Sequence, residues 1–307
     1  MINTNEIKIN DKKRKSHINK KYIPLILLAP AVLFYLLFWL LPVLMGIYES
    51  FTTSSGQLTL NNYKMIFIDG DFGVAIFNTG LFVVISIIIQ YVIALVLALI
   101  LNMKFRFRKA LLFIVMIPMA ITPTAVAIIW KTGLRETGWI NSILMQLNVT
   151  QNTIAWLETE GFYAILMLVT IDTWTVLPSI VIILLAGLQN LNKEVKEAGA
   201  VFGASRWQIL KDIVIPILKP SIITSLLLRM IAATQLWVLV VMVMGYNSLP
   251  FMVERIAYYV EFVPNAPNAE KMAYAMSIIV SVIIFITSVI YYKVAKKNSV
   301  MEVDKNE

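Results

Sequence analysis

Cysteine is absent from the chain and histidine occurs once, at His17. The first absence excludes disulfides and thiolate metal sites, and the two together leave no converging acid, base or metal set for a membrane-embedded enzyme. No cofactor is implied. Charge is also scarce. Asp, Glu, Lys and Arg make up 14% of 307 residues and hydrophobic residues 59%, with a mean hydropathy of +0.78, whereas a soluble domain is roughly 45–50% apolar. A Gly-rich phosphate loop followed by Lys-Ser or Lys-Thr is missing as well, so energy for any work must come from a partner or an ion gradient. The ten-residue alternation of a membrane barrel is not seen, nor is a fixed-period repeat.

What the sequence has is long apolar runs. Six exceed the roughly 18 residues that mark a membrane-crossing helix: Ile23 to Tyr48, Val74 to Leu101, Ala110 to Trp130, Phe162 to Leu188, Pro220 to Met244 and Met272 to Val294. The first follows a basic segment, as a secretion signal would, yet it is longer than a signal core of about 7–15 residues and has no small-residue cleavage site; it reads as a retained span. The fold class is all-α, a polytopic membrane protein of six helices.

The net charge of +8 suggests topology rather than nucleic acid. Twenty of the 26 Lys and Arg fall in the N-terminal tail, the segment Lys104 to Lys109, the segment Asn192 to Lys219 and the C-terminal tail, and only five in the alternate loops. Basic residues stay on the cytoplasmic side, so both termini and the long fourth-to-fifth loop are expected there. The expected organisation is a cytoplasmic basic tail at 1–21, with His17 solvated in it, a six-helix domain at 22–295 and a cytoplasmic tail at 296–307, in the cell membrane. On the other side, Trp139 to Leu147 predicts an apolar-faced helix lying on the surface, and Tyr246 to Lys271 is a loop rich in Asn, Pro and acids.

The loop at 191–219 is long for so compact a sequence. Ala198, Gly199 and Ala200 permit close approach of another backbone, and Gly203 supplies the positive φ at which one short helix ends and another begins. From Ser205 to Ile213, Trp207, Leu210 and Val214 recur at helical spacing, and Pro216 and Pro220 are expected to end that helix and open the next span. The arrangement is a helix, a turn and a helix at the membrane surface. Glu197, Ala198, Gly203, Ile213 and Pro216 together resemble the EAA loop of the permeases of ATP-binding-cassette importers, with Gly199 for the third small residue and Ile215 for the Leu before the Pro. The resemblance runs along nearly the whole chain, through Pro30 to Phe51, Asn62-Tyr63, Asn78-Thr79, Pro118, Trp130, Gly138, Ile140-Asn141, Trp174 and Ala186 to Gln189, to the sugar-type branch, the MetI-like fold and the first of two paired permeases. It departs at Met244 to Pro250, where the family often has a Thr-Gly-Gly-Pro-like stretch.

The resemblance implies several partners: a second homologous permease, two copies of an ATP-binding-cassette ATPase, an extracytoplasmic solute-binding protein and membrane lipid. It implies that Glu197, Ala198, Gly199, Gly203, Ala204, Ser205, Arg206, Trp207, Leu210 and Pro216 carry the ATPase-coupling surface, with Arg206 and Trp207 as anchors. The same segment also reads as an amphipathic helix on lipid headgroups, through Lys196, Arg206 and Lys211. The implied cargo is a sugar or oligosaccharide, or another solute such as glycerol phosphate; an ion-coupled secondary transporter is the alternative class.

Two ionisable residues fall within spans, Asp172 and Arg229, where a charge costs roughly 2.5–3.5 kcal/mol on insertion scales. Counting helical rise from Pro220 and Leu188 places Arg229 about 13 Å and Asp172 about 25 Å from the cytoplasmic end, a mismatch that argues against a direct pair and leaves structural and substrate roles equally open. The candidate path residues are Asn78, Asp172, Trp174, Arg229, Gln235 and Trp237, since polar groups and flat rings at similar depth suit an uncharged hydrophilic ligand.

Overall fold

The computed structural model describes residues 23–191, 193–261 and 268–303, with the side chains of 193, 196 and 296–303 outside the description. The basic tail with His17, the side chain of Lys196 and the last four residues therefore lie outside the described residues. The chain divides into two compact units, 1–48 and 49–307.

One apolar helix, α1, runs Ile23–Ser50, all but its last two residues in the first unit, with a π turn at Leu36–Leu40. Pro42 lacks an N–H and its ring crowds the carbonyl four residues back. The wide turn just before it absorbs that misfit without ending the helix.

The second unit is helical throughout its described residues apart from connecting loops and one isolated bridge, Thr52 with Leu58. In order its helices are α2 (Asn61–Ile68), α3 (Gly70–Asn102), α4 (Arg108–Ala120, its last turn 3-10), α5 (Pro123–Gly133), α6 (Trp139–Gln146), α7 (Gly161–Gln189), α8 (Lys193–Val201), α9 (Arg206–Thr234), α10 (Val238–Met244), α11 (Met252–Glu261) and α12 (Ala269–Val303). Five helices among the described residues, α1, α3, α7, α9 and α12, are long and apolar enough to cross a membrane, and α4 with α5 forms a sixth, broken span.

Two expected spans differ in course. The third bends by 98° between α4 and α5. The residue before a proline is driven out of the helical region, and Thr122, before Pro123, is extended at φ −66°, ψ 147° while its hydroxyl caps the Ala125 N–H. The fifth begins fourteen residues before Pro220, at Arg206. Neither Pro216 nor Pro220 ends a helix: a π turn at Ile209–Val214 precedes Pro216, the same device as before Pro42, and α9 continues unbroken to Thr234. It stops there, and Gln235 to Trp237 separate it from α10.

Small residues set the closest packing. Ala94 and Ala98 of α3 lie in one core with Val181 and Leu184 of α7 and with Val214 and Leu218 of α9. A Cβ on Gly187 would fall 2.6 Å from the Ser221 hydroxyl oxygen and 2.8 Å from Leu218 Cδ2, so the α9 side chains seat directly on the α7 backbone there. A second core, around Phe82, Leu168, Val240 and Phe251, fills the opposite half. There Asn141 at α6 donates to the carbonyls of Arg135, Glu136 and Ile154 and accepts from the Ile154 N–H and the Trp156 indole, so the expected surface helix is knotted to the loop after it.

Helix α11, amphipathic and hidden in what the sequence presents as loop, is pinned to the α2–α3 corner. Buried Arg255 donates to Asp69 at 2.7 Å and to Asn247 at 2.6 Å, and its guanidinium lies over the Tyr258 ring; the Tyr259 hydroxyl also donates to Asp69. Burial pushes the Asp69 carboxyl up, but the hydrogen bonds from Tyr259, Arg255 and the Asp71 N–H, with the Arg255 charge, outweigh it and hold it below 3.8. Glu254 goes the other way: burial raises its carboxyl, although the N–H groups of Asn247 and Phe251 donate to it. A depressed carboxyl stabilises the fold above its unfolded pKa and loses that contribution as pH falls through the folded value, whereas a raised one acts in the opposite sense. Thermal unfolding of wild type and Asp69→Asn between about pH 3 and pH 6 should therefore show the wild-type advantage full at the upper end and shrinking below about pH 4. A constant difference would remove Asp69 as its source.

Candidate functional site

Three helices place one polar side chain each at the same depth. Gln90 of α3, Asp172 of α7 and Arg229 of α9 are all buried. The Gln90 amide donates to Asp172 Oδ2 at 2.8 Å, Arg229 Nε donates to Gln90 Oε1 at 2.7 Å, and Arg229 Nη2 forms an ion pair with Asp172 Oδ2. The two charges therefore pair, contrary to the depths expected from the sequence. Counting from Pro220 misplaces Arg229, because α9 starts at Arg206 and Pro220 marks no helix end. One turn earlier along α9, Ser225 receives the Tyr91 hydroxyl at 2.9 Å.

Beside this cluster lies a cavity of about 260 Å³, lined among others by Pro123, Asp172, Thr175, Gln235 and Trp237. It sits where both interrupted helices restart, at the N-terminal ends of α5 and α10. The structure thus gathers three expected path residues, Asp172, Gln235 and Trp237, around one space, with Arg229 behind Asp172. It does not bring Trp174 and Asn78 there. Trp174 packs edge-on against Trp130, ring centres 6.0 Å apart, and the Asn78 amide donates to the Pro250 carbonyl at 3.0 Å. Pro123 enters the lining unforeseen, although Thr-Pro is a readable helix-start signal. A larger cavity of about 460 Å³, between α5, α6 and α7, is walled by Trp130, Trp156 and Met167 with the hydroxyls of Thr159, Tyr163 and Thr170; what sets the smaller one apart is the carboxylate of Asp172 and the amide of Gln235 at its wall. Among the described residues no three His, Cys, Asp or Glu converge as a metal would require.

The second region is the α8–α9 turn. Helix α8 ends through Phe202, Gly203 and Ala204 N–H groups donating to Ala198, Ala200 and Gly199 carbonyls, with Gly203 at φ +81°, where a side chain costs roughly 1–2 kcal/mol. Ser205 starts α9 with a reciprocal capping box: its hydroxyl accepts from the Gln208 N–H, and its own N–H donates to Gln208 Oε1. Gly199 packs within the chain itself: a Cβ there would stand 3.0 Å from Ile213 Cδ1, so a larger residue would have to displace that side-chain tip by a few tenths of an ångström. Glu197, Ala198, Arg206 and Trp207 are exposed. Leu210 instead turns towards the core. The apolar tip is Val201, Phe202 and Trp207, at 84%, 91% and 67% exposure; Val201 and Phe202 were not among the expected coupling residues, and the signal for them was two bulky apolar residues directly before a turn glycine.

Removing one partner of a buried ion pair strands the other, typically for about 3–5 kcal/mol. Arg229→Gln and Asp172→Asn singly should each lower unfolding stability of the purified chain by that order. The double exchange should lose less than their sum, by about 1–3 kcal/mol. Strict additivity would mean that the two charges do not interact.

With this geometry in hand, comparisons with known proteins give a consistent result. Residues 90–300 match the family described as binding-protein-dependent transport system inner membrane component. The chain is 28% identical over 293 residues to a probable ABC transporter permease protein of Brucella suis, covering 92% of this chain and 99% of that one. It is 29% identical over 229 residues to the trehalose/maltose transport system permease protein of Thermococcus litoralis, covering 72% and 76%. In fold it superposes at a TM-score of 0.78, with 21% identity and coverage of 91% and 96%, on a chain of the bacterial alginate ABC transporter solved in complex with alginate pentasaccharide-bound periplasmic protein. Because the family match takes in most of the sequence, including the Gln90–Asp172–Arg229 cluster and the α8–α9 turn, this chain belongs to the inner membrane components of binding-protein-dependent transport systems.

Proposed function

We propose that this chain is the permease subunit of an ATP-driven importer. It passes a sugar or oligosaccharide, delivered by an extracytoplasmic binding protein, through a pathway shared with a second, homologous permease. ATP is hydrolysed on two separate ATPase subunits that dock at the α8–α9 turn, which with both termini faces the cytoplasm. The observation that carries this reading is the continuity of α9. One helix of 29 residues begins at the exposed Arg206 and Trp207, carries Arg229 to the buried cluster and ends next to Gln235 at the cavity wall. At 1.5 Å per residue it reaches about 43 Å, so a displacement at the turn is delivered to the cavity by a single rigid element rather than through loops.

The cavity supports the cargo class. A neutral polyol needs acceptors, donors and a flat apolar surface, and Asp172, the Gln235 amide and the Trp237 ring offer one of each. A relative named for trehalose and maltose transport fits the same chemistry. This permease provides only its own wall of the path.

Two measurements test the reading. An ATPase subunit co-expressed from the neighbouring genes should co-purify with the chain, and Phe202→Asp with Trp207→Asp should reduce its retention at least tenfold, equivalent to about 1.4 kcal/mol. If no ATPase is retained and uptake proceeds without ATP, the proposal fails. In the assembled complex, ATP hydrolysis should be stimulated by one of a panel of neutral oligosaccharides with the binding protein present. Gln235→Ala should raise the half-stimulating concentration up to about tenfold, as loss of one hydrogen bond would; stimulation only by amino acids or ions would reassign the cargo.

A further inference from the structure

Between α3 and α4 the chain runs Met103-Lys104-Phe105-Arg106-Phe107-Arg108-Lys109, alternating apolar and basic side chains. Met103, Phe105 and Phe107 are 62%, 39% and 68% exposed, Lys104, Arg106 and Lys109 are exposed and Arg108 half-buried. Among the described residues none of the four cations has a carboxylate partner; the one contact of Arg106 is with the neighbouring Phe107 ring, 5.9 Å from its centre. Arg108 and Lys109 also occupy the first turn of α4, where a cation opposes the helix dipole, so their presence is unfavourable to the helix itself and answers to something outside it.

The position says what that is. Leu101 at the end of α3 and Leu111 and Leu112 in α4 share a core with Val214 and Leu210 of α9, so the segment lies at the same membrane face as the α8–α9 turn. Five residues, Met103 to Phe107, join two helices that dip back into the bilayer, and so short a link cannot rise more than about 10 Å above the helix ends. That keeps it within the headgroup layer, about 5–8 Å deep on each side, where the anion within reach is lipid phosphate. Exposed Phe and Met side chains that enter the acyl boundary alongside cations are the composition of a surface that binds anionic lipid.

We propose that Met103 to Lys109 is a binding surface for anionic phospholipid, with Lys104, Arg106, Arg108 and Lys109 on the headgroups and Phe105 and Phe107 inserted between the chains. It anchors the turn joining α3 to the broken span, next to the surface that carries the α8–α9 turn. A basic residue at an anionic membrane contributes roughly fivefold in affinity, so loss of all four should be felt at least tenfold.

The full-length chain, purified in its complex, is titrated with phosphatidylglycerol, phosphatidylcholine or inorganic phosphate and read by native mass spectrometry. The wild type is expected to retain phosphatidylglycerol in preference to phosphatidylcholine, with inorganic phosphate failing to displace it. The combined exchange Lys104→Gln, Arg106→Gln, Arg108→Gln and Lys109→Gln should lose at least tenfold of that retention, while Lys104→Arg, Arg106→Lys, Arg108→Lys and Lys109→Arg together keep it. If the neutral variant does not fold, the wild type alone decides: rising salt must release phosphatidylglycerol and leave phosphatidylcholine unaffected. Equal retention of both lipids, displacement by inorganic phosphate, or a neutral variant that sheds a protein subunit but keeps its lipid would each overturn the proposal.

Discussion

In hydrocarbon a charge has no water to fall back on, and this molecule is arranged around the one place among its described residues where it accepts charges at mid-depth. Arg229 and Asp172 answer each other, and Gln90 uses both ends of its amide to join them, so three helices are tied at one level by groups that have no better partners elsewhere. Between that level and the α8–α9 turn the close contacts are those of small residues, Ala94, Ala98 and Gly187, and the two interrupted spans restart beside the cluster. Each interruption frees backbone groups that lipid would not solvate, and both are turned inward, onto the cavity. Irregular backbone at membrane depth is found where protein or an enclosed space surrounds it, and here it borders the polar cluster.

The membrane-crossing helices were legible because a run of twenty or so apolar residues fits lipid and little else, and the α8–α9 turn because Gly203, Ser205 and Gln208 each have a local physical reason for their position. The pairing of Asp172 with Arg229 was not legible. Depth along a helix can be counted only from a known end, and Pro220 looked like an end. The proline signal failed since a π turn, which no composition rule announces, relieves the clash upstream of Pro216. Thr122-Pro123 did signal a helix start, but a bend of 98° depends on what α5 packs against, Val240 and its neighbours, far away in sequence. Helix α11 was missed for a similar reason: its apolar face is short, its flanks are rich in Asn and Pro, and what holds it is Arg255 reaching Asp69, a contact spanning 186 residues.

The candidate site was half legible for a related cause. Asp172, Gln235 and Trp237 were grouped by polarity and depth, and they do share one wall. Trp174 has the same credentials in the sequence, but residues two apart on a helix point about 200° apart; with Asp172 facing the cluster, Trp174 points to Trp130 instead. At the turn, Leu210 followed the apolar spacing of a docking face and proved to be the side on which the loop rests, leaving Val201, Phe202 and Trp207 as the side shown outward. Apolar periodicity identifies a face; it does not say whether the face is turned in or out.

The π turn at Ile209–Val214 does more than carry α9 past Pro216. A turn of this kind holds one residue more than its α counterpart, and one residue is about 100° of rotation about the axis. Everything before it, Arg206 and Trp207 included, is therefore offset in azimuth from everything after it, Arg229 included. The helix fixes the compass bearing of its surface end relative to its buried end. Losing or gaining a single residue in that stretch would leave composition, hydropathy and length almost untouched and yet aim the exposed tryptophan at a different neighbour.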